Sequence, residues 1–283
     1  MAEAVGVIGG GIMGSGIAEV AARSGCDVLV REVDAAACGR AQARIERSFD
    51  KAVRSGKLPS EDRDRAVARL RYVTDLDAFA DRDIVIEAAI EDETLKTEIF
   101  RQLGKVVADG HTVLASNTSS IPIMKLAAVT ERPERVIGLH FFNPVPVLPL
   151  VEIIPSLLTS AETLDRARMF AADRLGKHTV LGKDRAGFVV NALLIPYLLA
   201  AIRMVETGFA TADDVDVAMV AGCAHPMGPL ALTDLIGLDT TAAVANSMYE
   251  EFKEPLYAPP PLLLRMVEAG RLGRKTGQGF YTY

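Results

Sequence analysis

The chain has 283 residues, 49% of them hydrophobic and 24% charged, with a formal net charge of −6. That length supports two domains with cores of their own, and the balance excludes a disordered chain or a fibre. The acidic net charge argues against a general basic surface for nucleic acid, so no such partner is expected.

Cys26, Cys38 and Cys223 are widely spaced and form no C-x-x-C pattern. Neither a disulfide framework nor a metal site is indicated, and a reducing cytoplasm fits. The N-terminus moves directly into an apolar run and a glycine turn, without the basic and apolar regions of a secretory signal. The longest uncharged run, 186–202, contains Gly187, Asn191 and Pro196. It reads as a buried or interface helix rather than a membrane span, so no membrane partner is expected.

Ala4 to Ile8 is a short apolar strand, followed at once by Gly9-Gly10-Gly11-Ile12-Met13-Gly14 and then by Ala, Ile and Val at helical spacing. Strand, G-x-G-x-x-G and helix in that order form a dinucleotide-binding context. The glycines let the backbone approach a pyrophosphate that rests on a helix N-terminus. Gly9, Gly11, Ile12, Met13 and Gly14 are therefore candidate cofactor contacts. The second strand, Asp27 to Val30, leads to Arg31 and Glu32, the latter 18 residues beyond Gly14. A carboxylate there accepts hydrogen bonds from an adenosine ribose and repels a 2′-phosphate, favouring NAD over NADP; Arg31 beside it pulls the other way. The plain alternative is a solvated strand end.

Residues 35 to 71 read as two antiparallel helices broken at Gly56 to Ser60. Ser48, Lys51, Arg54 and Lys57 recur at intervals of three, which is either a phosphate-holding face or a solvated one. Arg82 to Ile90 is a buried type of strand closed by Glu91, and Glu93 to Val107 is an amphipathic helix carrying Lys96. Thr112 to Ala115 runs into Ser116-Asn117-Thr118-Ser119-Ser120, a polar cluster at a strand end. It suits a ligand edge and also a helix cap before Ile121 to Val129.

Val136 to His140 and Leu150 to Ile154 are two apolar runs separated by Pro144, Pro146 and Pro149, which disfavour regular structure between them. If the runs pair, His140 and Glu152 approach, and an imidazole backed by a carboxylate is a general base. A satisfied structural histidine is the alternative. A helix over Ala161 to Leu175 and a strand over His178 to Leu181 complete the alternation of a doubly wound, mostly parallel α/β sheet with a helical hairpin insertion. From about residue 184 the texture becomes all-α. Helices are expected over Gly187 to Glu206, Thr211 to Val220, Leu230 to Lys253 and Pro261 to Ala269. Two domains follow, 1–183 and 184–283.

The segments GGGIMGSGIA, IEAAIE, SNTSS, HFFNPVPVLPLVE, RAGFVVN, HPMGPLALTDLIGLD and GRKTGQGFYTY, in that order, resemble the 3-hydroxyacyl-CoA dehydrogenases, chiefly their short bacterial 3-hydroxybutyryl-CoA type. The resemblance spans Val5 to Tyr283. It implies a Rossmann-type domain followed by a helical substrate and dimerisation domain, and an NAD-dependent enzyme interconverting (S)-3-hydroxyacyl-CoA and 3-oxoacyl-CoA as a homodimer or larger. It makes His140 the base and Glu152 its partner, with Ser119 and Asn191 at the substrate's 3-oxygen. It places Glu91, Lys96, Asn143 and Lys275 near the nicotinamide side, and Ser48, with Lys51 and Lys57, at the coenzyme A end. The family's usual acid after the second strand is aspartate, and here it is Glu32. Hydroxyacid dehydrogenases of the 3-hydroxyisobutyrate kind use a lysine where this chain has Gly187. A gulonate-type sugar-acid dehydrogenase or a non-enzymatic NAD-binding protein are the other readings.

Overall fold

The computed structural model describes residues 3–107 and 111–283. The chain divides into two compact units, Met1–Asp184 and Arg185–Tyr283.

The first unit is built on one eight-stranded sheet. Its strands are β1 (Ala4–Ile8), β2 (Asp27–Arg31), β3 (Leu70–Val73), β4 (Ile84–Glu87), β5 (Val113–Ser116), β6 (Val136–Phe141), β7 (Leu150–Pro155) and β8 (His178–Leu181). They lie in the order β3-β2-β1-β4-β5-β6-β7-β8. All neighbours are parallel except β6 and β7. The strand order reverses between β1 and β4, and open α/β sheets bind ligands at such a switch, outside the carboxyl ends of the strands. Near-continuous apolar runs such as Ile84-Val85-Ile86 are what strands covered on both faces require. Ile17, Ala21, Val28, Ile45, Phe49, Ile86, Leu139 and Phe170 belong to the core on one side of the sheet.

The helices of this unit are α1 (Ile12–Arg23), α2 (Ala35–Arg54), α3 (Ser60–Val67), α4 (Glu93–Val106), α5 (Ile123–Ala127) and α6 (Ala161–Met169), the last continuing into a π-turn over Phe170–Arg174. The side chain of the N-cap residue itself starts three of them. Asp34 accepts from Ala37 N at α2, Asp92 from Leu95 N at α4, and Ser160 from Thr163 N at α6. Each such cap satisfies an orphan amide and is worth about 1 kcal/mol.

Two expectations are corrected in this unit. The stretch 35–71 is not all helix, because β3 begins at Leu70 and joins the sheet edge beside β2. Its side chains are mostly half-exposed and Arg71 reaches across to Asp27 at 2.7 Å, so four residues of an edge strand were hidden inside a charged run. The strand expected over Arg82–Ile90 spans only Ile84–Glu87, which leaves Ala88–Glu91 as a loop at the ligand edge.

The second unit is helical, with α7 (Val190–Glu206), α8 (Ala212–Cys223), α9 (Pro229–Ile236), α10 (Leu238–Phe252) and α11 (Pro261–Glu268) around a core that includes Ile195, Leu199, Ile202, Leu230, Ala245, Met248 and Leu263. The single helix expected over Leu230–Lys253 is two, because Gly237 at φ +104 and ψ 129 breaks it. Among the described residues no helix is long and apolar enough to cross a membrane.

The break at Gly237 has a measurable cost of replacement. An added Cβ would lie 2.9 Å from Asp239 Oδ1 in a backbone region that L-residues avoid. Gly237→Ala is expected to lose about 2 kcal/mol. Gly222 in α8 has open space around it and no positive φ, so Gly222→Ala should gain about 0.5 kcal/mol through the unfolded state. Urea midpoints of the two variants should move in opposite directions, and shifts of the same sign would refute the backbone account.

Candidate active site at the carboxyl edge of the sheet

The site begins where β1 gives way to α1. Gly9 lies at φ +91, and a Cβ there would stand 2.7 Å from Ala88 O; at Gly14 it would stand 1.7 Å from Gly9 O. Both glycines are therefore required by close backbone packing. At Gly11 a Cβ would meet nothing within 4 Å, so this residue faces open space at the start of α1. No side chain caps that helix. Aligned peptide dipoles and unsatisfied N–H groups make this a seat for an anion such as a pyrophosphate. The residues present fit a dinucleotide. Ile12, 66% exposed, and Met13 follow on the same turn.

Glu32, just past β2, fixes the loop from the side. Its Oε1 accepts the Gly10 N–H at 2.7 Å, and Arg44 Nη1 donates to Gly10 O at 2.5 Å. Arg31 turns away and donates to Thr74 O at 3.2 Å. A carboxylate so placed is a ready acceptor for a ribose hydroxyl.

Beyond β4 lies a cluster of charges. Lys96, only 1% exposed, has Glu87 Oε1 at 2.6 Å, Ala89 O at 3.2 Å and Glu91 Oε2 at 3.4 Å around its ammonium. Glu91 in turn gathers the turn after β5. Its Oε1 accepts from Thr118 Oγ1 at 2.5 Å, Ser120 Oγ at 2.9 Å, and the Ser119 amide and hydroxyl at 3.0 and 3.4 Å. Burial alone would raise the Glu91 carboxyl. The Lys96 ammonium and the donated hydrogen bonds outweigh it and hold Glu91 below the ordinary carboxylate range.

The same turn is tied to the next strand, for Asn117 Oδ1 accepts the Phe141 N–H at 2.9 Å. On β6, His140 stands directly across the antiparallel ladder from Glu152 on β7. His140 Nδ1 and Glu152 Oε2 are 2.7 Å apart, with His140 7% exposed and Glu152 fully buried. An ionised carboxylate only accepts, so Nδ1 carries a proton, and in the neutral imidazole Nε2 is then the basic nitrogen. Phe142 packs on the imidazole with ring centroids 4.6 Å apart. Asn143 is exposed at the start of the proline loop, which Lys177 pins by donating to Val145 O at 2.6 Å and Leu148 O at 2.7 Å.

The structure thus brings Gly9–Gly14, Glu32, Glu91, Ser119, His140, Asn143 and Glu152 to the carboxyl edge of one sheet. Lys96 lies beneath that edge rather than on it. On the hairpin, Ser48 hydrogen-bonds the buried Glu19 of α1, while Lys51, Arg54 and Lys57 are exposed. Asn191, in the first turn of α7, and Lys275 belong to the second unit, where both Asp239 oxygens lie 2.6 Å from Lys275 Nζ. Sequence reading passed over Glu87, Arg44 and Lys177. Glu87 did carry a signal: a carboxylate closing an otherwise apolar strand is buried and must have a partner.

Comparison with known proteins accords with this geometry. The family model "3-hydroxyacyl-CoA dehydrogenase, NAD binding domain" matches residues 4–185, and the model for that family's C-terminal domain matches residues 187–283. A 3-hydroxybutyryl-CoA dehydrogenase of Mycobacterium tuberculosis is 60% identical over 281 residues, covering 99% of this chain and 98% of its own. The human mitochondrial hydroxyacyl-coenzyme A dehydrogenase is 42% identical over 284 residues, covering 98% of this chain and 90% of its own. Among solved structures, M. tuberculosis FadB2 superimposes with a TM-score of 0.98 at 60% identity, over 99% of this chain and 98% of its own. The (S)-3-hydroxybutyryl-CoA dehydrogenase PaaH1 of Ralstonia eutropha does so with 0.94 at 44% identity, over 100% of this chain and 99% of its own. With a Rossmann-type sheet, a histidine–carboxylate pair at its ligand edge and matches along its whole length, the chain belongs to the 3-hydroxyacyl-CoA dehydrogenase family.

Proposed function

We propose that this protein interconverts (S)-3-hydroxyacyl-CoA and 3-oxoacyl-CoA, with the 3-hydroxybutyryl thioester as substrate and NAD(H) as cofactor. The observation that carries the reading is the buried His140–Glu152 pair on adjacent strands at the edge where a dinucleotide fold holds its ligand.

His140 Nε2 takes the proton of the 3-hydroxyl, and in the reverse direction returns it to the forming alkoxide. Glu152 holds the imidazole in the tautomer that leaves Nε2 basic and faces the imidazolium once it forms. Nicotinamide, when bound, supplies the hydride chemistry at C3 of the substrate. Gly9, Gly11, Ile12, Met13 and Gly14 would hold its diphosphate and Glu32 its adenosine ribose. Glu91, Lys96, Asn143 and Lys275 would serve the nicotinamide side. Ser119 and Asn191 donate to the 3-oxygen, where a preorganised donor stabilises developing negative charge. Ser48, Lys51 and Lys57 would receive the nucleotide end of coenzyme A.

The preference for NAD over NADP rests on Glu32, whose charge repels a 2′-phosphate, and on Arg31 being turned toward Thr74 O. The three cysteines are free thiols, and burial pushes Cys26 up to about 11, which suits a protein of the reducing cytoplasm. The second unit, 99 residues, leaves Leu193 76%, Phe209 79% and Val217 64% exposed. Apolar surface of that kind on so small a unit supports a homodimer formed through it.

Purified protein should consume NADH with acetoacetyl-CoA. His140→Ala should lower kcat by about 10³-fold, and Glu152→Gln, which keeps the shape and loses the charge, by about 10²-fold. No turnover with either nicotinamide cofactor would sink the acyl-CoA reading and turn attention to sugar acids. The ratio of kcat/KM for NADH over NADPH should exceed about 10², equivalent to about 2.7 kcal/mol of discrimination, and should narrow in Glu32→Ser. A ratio unaffected by that change would remove Glu32 from the specificity argument. Sedimentation should give twice the chain mass, shifting toward the monomer in Val217→Asp; a wild-type monomer at micromolar concentration would contradict the dimer.

A further inference from the structure

Glu87 lies outside every role assigned above, yet it is a fully buried charge held close to the site. It closes β4 with no exposure at all. Its Oε1 accepts from Lys96 Nζ at 2.6 Å and from the Ala89 amide at 2.7 Å, and its Oε2 accepts the Ser116 hydroxyl at 2.6 Å. Three donors thus hold the carboxylate. Lys96 is held in turn, and among the described residues it is the cation paired with Glu91 Oε2, while Glu91 Oε1 accepts from Thr118, Ser119 and Ser120.

The two carboxylates divide one buried ammonium unequally, 2.6 Å to Glu87 and 3.4 Å to Glu91. That inequality matters. Were Lys96 to lose Glu87, a buried cation would retain a single anionic partner, and closing the 0.8 Å difference would draw the Glu91 carboxylate inward and Oε1 away from the serine turn. We propose that Glu87 is a positioning residue for the hydroxyacyl-CoA reaction: through Lys96 it sets the Glu91 carboxylate, and through Glu91 it sets the Ser119 hydroxyl. The inference rests on the functional reading only for what Ser119 does; the ordering of the turn stands on the contacts alone.

Glu87→Gln tests it, since the amide keeps the size and can still meet Ser116 while the charge is lost. Hydrogen–deuterium exchange of the protein without ligand should quicken about tenfold at the Ser119 amide, while the β5 amides of Val113–Ser116 stay protected. Unchanged exchange at Ser119 overturns the proposal whatever reaction the enzyme performs. Kinetics then read the consequence. Glu87→Gln should lower kcat with acetoacetyl-CoA about tenfold in the native background, and less than about twofold in the S119A background, because groups acting as one unit are not additive. Equal losses in both backgrounds mean a merely structural role and overturn it as well. Should Glu87→Gln fail to fold, Glu87→Gln/Lys96→Met removes both buried charges and is read the same way: quickened Ser119 exchange with a stable sheet supports the chain of contacts, and native exchange refutes it. Failure of the native protein to reduce acetoacetyl-CoA bears on the functional reading alone, because the exchange result remains decisive.

Discussion

The site depends on one reversal of strand direction. If the sheet continued parallel past β6, the first residues of the next strand would lie at the far edge, remote from any ligand. Because β7 runs antiparallel, its beginning returns to the carboxyl edge, and Glu152, its third residue, falls opposite His140. Side chains alternate with a period of two, so a slip of one residue would send the carboxylate to the other face of the sheet. The ladder hydrogen bonds, more than the loop between the strands, therefore set the 2.7 Å contact. The proline loop still has to be held, and the two bonds from Lys177 do so from outside the strand pair. A fully buried carboxylate costs several kcal/mol in lost hydration unless it is well paired, so Glu152 in turn constrains the imidazole that faces it.

The two acid clusters at this edge are built differently. In the His140–Glu152 pair an imidazole meets a buried carboxylate at 2.7 Å, the arrangement that the proposed base requires. In the Glu87–Lys96–Glu91 group the cation is present from the start and enclosed by three oxygens. The charges of such a group fix geometry, since the ammonium ties the end of β4 to the turn after β5 through Glu91. The two clusters sit at the ends of β4 and β6, with β5 between them. Asn117 joins them, since it sits on the turn that Glu91 gathers and bonds the backbone of the residue after His140.

Much of this was legible in the residues, and the exceptions have identifiable physics. The glycine loop could be read because Gly9, Gly11 and Gly14 answer to backbone geometry, which spacing records directly. The pairing of His140 with Glu152 could be anticipated from two apolar runs around a stiff turn, but their register could not, because it is fixed by hydrogen bonds that leave no mark on composition. β3 was hidden because an edge strand is short and charged by design, so Leu70 and Arg71 look like the end of the helix before them. The break between α9 and α10 was visible as Gly237, yet glycine inside a helix is common enough that its positive φ had to be seen. Lys96 shows the reverse: a lysine at helical spacing reads as exposed, and only the buried Glu87 below it explains why it is not.

The remaining segments of the chain are held by a recurring device, a carboxylate that receives two successive backbone amides. Asp184, at the end of the first unit, takes Ile123 N and Met124 N at 2.7 and 2.8 Å and so caps α5. In the second unit Asp216 takes Leu230 N and Ala231 N, both at 2.8 Å, and Asp234 takes Phe280 N and Tyr281 N, both at 2.9 Å. Tyr281 links the latter two by donating its hydroxyl to Asp216 at 2.9 Å. Gly273 and Gly279 permit the approach, since a Cβ at either would come within 2.2 Å of Asp234. Hydrogen bonds to a charged acceptor are worth about 1.5–3 kcal/mol each, enough for one side chain to fix a short segment. The last eleven residues, with Lys275 among them, are thus tied down by Asp234 and Asp216, and Phe280 and Tyr281 pack against the core of the unit.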